Sequence, residues 1–178
     1  MTLEFYNLFI GTLGLIAIGL ILIILISNLL KDSELSKGFL KFIQKHSLKL
    51  IALFTLAPII GSLTYSDYFG LTPCKLCWYQ RIFMYPMFFL ALVGLKIKDK
   101  NTTKYTLTLA TLGSLVSIYQ LYLQFFAEGY DNCSIVGQNA SCSKIWIKVF
   151  DFMTIPSMAL ICFILVILIS LNDIRSKK

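Results

Sequence analysis

The chain has 178 residues, of which 57% are hydrophobic and only 14% carry a charged side chain. A soluble domain of this size could not bury so much apolar surface, so the composition predicts an integral membrane protein. The net charge of +7 does not indicate nucleic-acid binding, because most of the sixteen Lys and Arg residues lie in three short segments that separate or follow apolar runs. We therefore expect a lipid bilayer and no nucleic acid as a partner.

Five apolar runs are long enough to cross a hydrocarbon core about 30 Å thick. They cover Leu8 to Leu30, Leu50 to Ser66, Cys77 to Leu95, Tyr105 to Ala127 and Ile155 to Leu171. The first run has no basic segment before it and no cleavage site after it, which favours a retained anchor over a signal peptide. The sequence predicts an all-α integral membrane protein, a four-helix transmembrane bundle with one extra N-terminal transmembrane helix.

The basic segments Lys31 to Lys49, Lys96 to Lys104 and Arg175 to Lys178 follow alternate spans. Loops rich in Lys and Arg stay in the cytoplasm, so the N-terminus is predicted outside and the C-terminus inside. Two cysteine pairs then lie on the outer face, where disulfides persist. By domain, we assign residues 1–33 to an extra anchor, 34–49 to a cytoplasmic connector, 50–172 to a four-helix transmembrane bundle and 173–178 to a basic tail.

Two connecting segments have helical periodicity. Glu34 to Lys49 places apolar and basic residues on opposite faces, which suits a helix on the inner leaflet or a basic connector that only fixes topology. Ser143 to Met153 is amphipathic as well, and we predict an interfacial helix there. Thr154 is a candidate N-cap for the last span, with Pro156 in its first turn.

The first cysteine pair, Cys74 and Cys77, follows Pro73 at the predicted start of a helix. Free N–H groups and the helix dipole at that end stabilise a thiolate, the reactive form of cysteine. Arg81 lies one turn further on the same face, and a charge at that depth is a candidate functional group. It could stabilise a Cys77 thiolate or donate hydrogen bonds to a quinone carbonyl. The pattern favours electron transfer from protein thiols to a molecule dissolved in the lipid.

The segment Cys-Lys-Leu-Cys-Trp-Tyr-Gln-Arg, from Cys74 to Arg81, resembles the signature of the DsbB/BdbC family of quinone-coupled disulfide-forming membrane proteins. The resemblance extends over roughly residues 50–171 and implies a four-helix bundle that oxidises a thioredoxin-fold, DsbA-like thiol oxidase. It further implies that Cys133 exchanges with the partner and that Cys142 passes electrons to Cys74. Cys77 and Arg81 would face the quinone, either menaquinone or ubiquinone. The four outer cysteines still allow three pairings.

A polar stripe in the fourth span consists of Gly113, Ser117, Gln120 and Gln124, at helical spacing. In lipid such a stripe is expected to face the bundle interior. Its outer end reaches the level of Arg81, so we predict that Gln120 contacts the quinone.

Three other functions are compatible with parts of the pattern. A vitamin K epoxide reductase-like quinone enzyme would have its loop cysteines before the CxxC helix, whereas here Cys74 and Cys77 come first. A structural membrane protein with two disulfide-stapled outer loops gives no reason for Arg81. A zinc site of four cysteines is disfavoured on an oxidising face without accompanying histidines.

Overall fold

The computed structural model describes residues 2–30, 33–99, 101–126 and 141–176. Its elements are α1 (Leu3–Leu29), α2 (Glu34–Lys45), α3 (Ser47–Leu63), a π-helical turn (Thr64–Tyr68), α4 (Lys75–Ile97), α5 (Thr102–Phe126) and α6 (Ile155–Ser176). Within these described ranges, five helices, with α3 counted together with the π-helical turn, are long and apolar enough to cross a membrane. This confirms the all-α integral membrane class.

Helices α3 to α6 form the four-helix bundle. α5 packs between α4 and α6, and α3 contacts both α4 and α6 on the other side. The centre is fully buried and apolar, with Met87, Ala91, Phe163 and Val166 at its core. Gly113 sets the distance between α5 and α6, because a Cβ atom there would fall on the Phe163 ring. The polar stripe on α5 is buried along its whole length, as predicted.

The connector forms the predicted helix, α2, but only part of its apolar face is buried against the protein. Ile43 is 3% exposed and belongs to the bundle core, whereas Leu35 is 84% and Phe42 55% exposed. α2 contacts both α1 and α6. The connector is therefore partly packed against the protein, and its two exposed apolar side chains remain available to the bilayer surface.

The prediction of an interfacial helix from Ser143 to Met153 is wrong. This segment is irregular and ends in a tight turn in which Val149 and Met153 exchange two backbone hydrogen bonds of 2.9 Å. Phe150 and Asp151 have φ angles of 52° and 61°, which an α-helix does not allow. Ile147 and Met153 are buried against the protein at 4% and 0% exposure, so tertiary contacts replace the helix that periodicity suggested.

At the end of the bundle away from the cysteines, Asp173 of α6 links three helices, and its side chain is buried, with 3% exposure. Its carboxylate accepts hydrogen bonds from Ser47 of α3 at 2.9 Å and Thr103 of α5 at 2.8 Å. Burying a carboxylate is costly unless it is hydrogen-bonded, so these contacts fix three helices relative to one another.

Candidate redox site

Cys74 occupies the N-cap of α4, which begins one residue later. Its sulfur accepts a hydrogen bond from the backbone N–H of Cys77 at 3.4 Å, replacing the oxygen of a usual cap. Both cysteines are free thiols, and their sulfur atoms are 3.0 Å apart. The hydrogen bond to Cys77, reinforced by burial, raises the pKa of the Cys74 thiol. Cys74 therefore keeps its proton, and Cys77 is the sulfur better placed to carry the negative charge.

Gln120 of α5 lies against both sulfurs. Its amide nitrogen is 3.3 Å from Cys74 Sγ and 3.4 Å from Cys77 Sγ. Its amide oxygen accepts a hydrogen bond of 2.9 Å from the side chain of Gln80, one turn after Cys77. Gln80 and Gln120 are only 5% and 2% exposed, so each depends on the other for its hydrogen bonding. The arrangement directs an N–H donor at the dithiol.

Arg81 is fixed by α3. Its Nε donates to the Ser62 hydroxyl at 2.8 Å and one terminal nitrogen donates to the Ser62 carbonyl at 3.0 Å. The guanidinium also lies 5.1 Å from the centre of the Trp78 ring, within cation–π range. A guanidinium has five N–H donors, so three remain beyond those that Ser62 accepts. In the described part of the chain, no carboxylate forms an ion pair with Arg81.

Two cavities meet at Cys77 and Arg81. The smaller, of about 60 Å³, is also lined by Cys74, Gln120, Lys144 and Ile147. The larger, of about 370 Å³, runs between α1, α3, α4 and α6 and is apolar except near Cys77 and Arg81. Gln120 lines only the smaller cavity. Its direct contact is thus with the sulfurs, while its predicted contact with a quinone stays a prediction.

Cys142 is fully buried at 0% exposure and is disulfide-bonded. It packs in one cluster with Cys74, Leu76 and Leu123. The structure therefore brings Cys142 to the thiol at the N-terminus of α4, as an exchange between them would require. Cys133, the other predicted loop cysteine, lies outside the described residues.

Most of the chain, including the helix-capping dithiol, Arg81 and Cys142, lies in a region that is similar to known proteins. A family model described as disulfide bond formation protein DsbB matches residues 44–172. The chain belongs to the DsbB family. Family membership indicates a multi-pass membrane protein with protein-disulfide oxidoreductase activity, and it confirms the resemblance carried by residues 74–81.

Three relatives of this DsbB-family chain come from Bacillus species. A probable disulfide formation protein C 2 of Bacillus anthracis is 31% identical over 76% of this chain and 96% of that protein. An SPbeta prophage-derived disulfide bond formation protein B of Bacillus subtilis is 40% identical over 67% of this chain and 80% of that protein. The disulfide bond formation protein C of the same species is 38% identical over 64% of this chain and 81% of that protein. No solved structure matches the chain significantly.

Gln80 belongs to the motif from Cys74 to Arg81, whereas two other residues of the site were not singled out in the sequence. Tyr85 follows Arg81 by one helical turn, so helical spacing from the motif would have identified it. Ser62 gives no such signal, because it lies on another helix. Its backbone carbonyl, which any residue would provide, accepts a hydrogen bond from Arg81 just as its hydroxyl does. Thr154, the candidate N-cap of the last span, does directly precede α6. Its hydroxyl, however, donates a hydrogen bond of 3.1 Å to the side chain of Gln124 on α5.

Proposed function

We propose that this protein reoxidises a thioredoxin-fold thiol oxidase outside the cell membrane and passes the electrons to a membrane quinone. The observation that carries the proposal is the position of Cys77. It shares a hydrogen bond with a thiol that packs beside Cys142, and it also lines an apolar cavity together with Arg81. One dithiol thus connects a loop cysteine to a space suited to a lipid-soluble acceptor.

The larger cavity fits a quinone in size and in chemistry. Its volume of about 370 Å³ falls in the range of small-molecule sites. The three N–H donors that Ser62 leaves on Arg81 can bind a ring carbonyl. Tyr85 adds a buried hydroxyl that has no hydrogen-bond partner among the described residues. A buried donor without a partner is costly, and a ligand carbonyl would satisfy it.

The proposed reaction is a pair of thiol–disulfide exchanges followed by reoxidation. The partner's dithiol becomes a disulfide as the Cys133 and Cys142 pair is reduced, and exchange with Cys74 then transfers two electrons to the Cys74–Cys77 pair. A bound quinone supplies the acceptor for two electrons and two protons as that dithiol returns to a disulfide. Cys77 lines the larger cavity and is the cysteine of the pair that faces the acceptor.

Gln120 and Arg81 have different roles in this reaction. Gln120 donates to the sulfurs of the reduced pair, and a hydrogen bond to a thiolate is stronger than one to a neutral sulfur. Arg81, fixed by Ser62, supplies positive charge at the sulfur end of the cavity. With the loops rich in Lys and Arg in the cytoplasm, both cysteine pairs face the outside of a bacterial cell membrane.

The test is quinone reduction by the purified chain in detergent, with a reduced thioredoxin-fold oxidase as electron donor. We expect loss of quinone absorbance that requires both protein and donor and that disappears in Cys77→Ala. Tyr79→Ala is the matched control, since Tyr79 is exposed on the same helix and lines neither cavity. Quinone reduction by Cys77→Ala at the wild-type rate would refute the relay. Cysteines that resist mild reductant, with no quinone reduced, would instead indicate a structural protein with stapled loops.

A further inference from the structure

Helix α1 precedes the region that the family model matches, which begins at residue 44. It nevertheless contacts the rest of the protein at several points, chiefly α6 and α2. Tyr65 donates a hydrogen bond of 2.9 Å to Asn7, and Ile24 is 3% exposed within the core. Between them, a Cβ atom on Gly14 would lie 2.8 Å from Met153 Sδ, so the missing side chain permits close contact. These contacts give α1 a fixed position.

One face of α1 forms a wall of the larger cavity. The lining residues are all apolar or glycine: Ile10, Leu13, Gly14, Ile16, Ala17 and Leu20. At 1.5 Å per residue they extend over about 15 Å of helix axis. The opposite walls come from α3, α4 and α6, and Cys77 and Arg81 lie among the few polar residues there. The cavity therefore has a reactive region and an extended apolar part bounded by α1.

We propose that α1 forms the binding wall for the isoprenoid tail of the quinone, while the quinone ring lies against Cys77 and Arg81. This inference rests on the proposed function and assigns the extra helix a role in it. In a bilayer, moving an apolar tail from lipid to protein gains little hydrophobic energy. The contribution of α1 is packing: it shapes a space for one linear chain and thereby holds the attached ring beside the sulfur.

Two substitutions in α1 distinguish this wall from the rest of the helix. Ala17→Phe places a ring in the apolar part of the cavity, where Ala17 is a lining residue. Gly19→Phe adds the same ring two residues away, where a Cβ atom meets nothing within 4 Å. The probes are a menaquinone and its tailless dimethyl naphthoquinone analogue, which has no free ring position to react with thiols. Binding to the oxidised full-length protein is followed by quenching of tryptophan fluorescence.

We expect Ala17→Phe to weaken menaquinone binding about tenfold, because the added ring occupies space that the tail would fill and removes the packing contacts of the displaced tail atoms with the cavity wall. Binding of the tailless analogue should stay unchanged, and Gly19→Phe should leave both unchanged. Equal menaquinone affinity in the two variants would overturn the inference. If neither probe bound the wild-type protein, the proposed function would itself fail, and the inference with it.

A second measurement does not depend on how the variants fold. A menaquinone with a photoreactive group on its tail is irradiated with wild-type protein, and the labelled peptides are identified by mass spectrometry. Labelling within residues 10–20 that excess unlabelled menaquinone removes would support the inference. Labelling confined to α3 and α6 would overturn it. Equal labelling by a fatty acid with the same group would assign the cavity to lipid chains and would overturn it as well.

Discussion

Gln120→Leu isolates the contribution of one amide to the redox chemistry of the dithiol. Leucine is close to glutamine in size but removes the N–H group that lies 3.3 Å and 3.4 Å from the two sulfurs. The hydrogen bond favours the reduced pair over the disulfide, because a thiolate accepts it more strongly than a neutral sulfur. The substitution should therefore make the Cys74–Cys77 pair more reducing.

The size of the effect follows from the contact. A hydrogen bond to a charged group contributes about 1.5–3 kcal/mol. For a two-electron couple about 1.4 kcal/mol corresponds to 30 mV, so the reduction potential should fall by about 30–60 mV where the reduced pair carries a thiolate. Thermal stability should fall too, because the Gln80 amide loses its acceptor, at a cost of about 1–3 kcal/mol.

The assay is equilibration of the purified protein in a series of thiol–disulfide buffers, followed by alkylation and mass spectrometry of the peptide that carries Cys74 and Cys77. Gln124→Leu is the matched control. Gln124 is one turn further along the same buried stripe, but its hydrogen bond is to Thr154 and not to a sulfur. A potential in Gln120→Leu equal to that of Gln124→Leu would refute the role of the amide.

Three further substitutions test other parts of the structure. Arg81→Lys removes the planar fork that Ser62 holds, so the apparent quinone KM should rise about tenfold in steady-state assays; an unchanged KM would contradict this. Asp173→Ala leaves the buried hydroxyls of Ser47 and Thr103 without their acceptor, so the free energy of unfolding should fall by about 1–3 kcal/mol. Thermal unfolding in detergent measures this, and an unaltered midpoint would contradict a stabilising role for these hydrogen bonds. Gly113→Leu should destabilise the α5–α6 contact by about 1–3 kcal/mol or more, whereas Gly19→Leu should not; equal unfolding midpoints would disprove the close packing.

The sequence by itself determined the membrane class and the position of the dithiol. Uninterrupted apolar runs must satisfy their backbone hydrogen bonds internally, so they predict the transmembrane helices with little dependence on context. The cap at Cys74 was predictable for a similar reason, since Pro73 and the following apolar run define where α4 begins. The buried stripe on α5 followed from helical spacing alone.

Periodicity failed where a short segment was governed by its neighbours. Residues 143–153 have the alternation of an amphipathic helix, yet Ile147 and Met153 are buried by contacts with other elements. The tight turn after Val149 depends on positive φ angles, for which neither Phe150 nor Asp151 gives the clear signal of a glycine. A segment this short has too little helical stability of its own to resist such contacts.

Only the tertiary structure decided what surrounds the dithiol. Ser62 of α3 fixes Arg81 of α4, Gln120 of α5 lies against the two sulfurs, and α1 encloses the apolar cavity. Each of these contacts joins residues far apart in the chain. Local sequence determines which face of a helix is polar or apolar, but which helices share a boundary, and at what depth, depends on packing of the whole bundle.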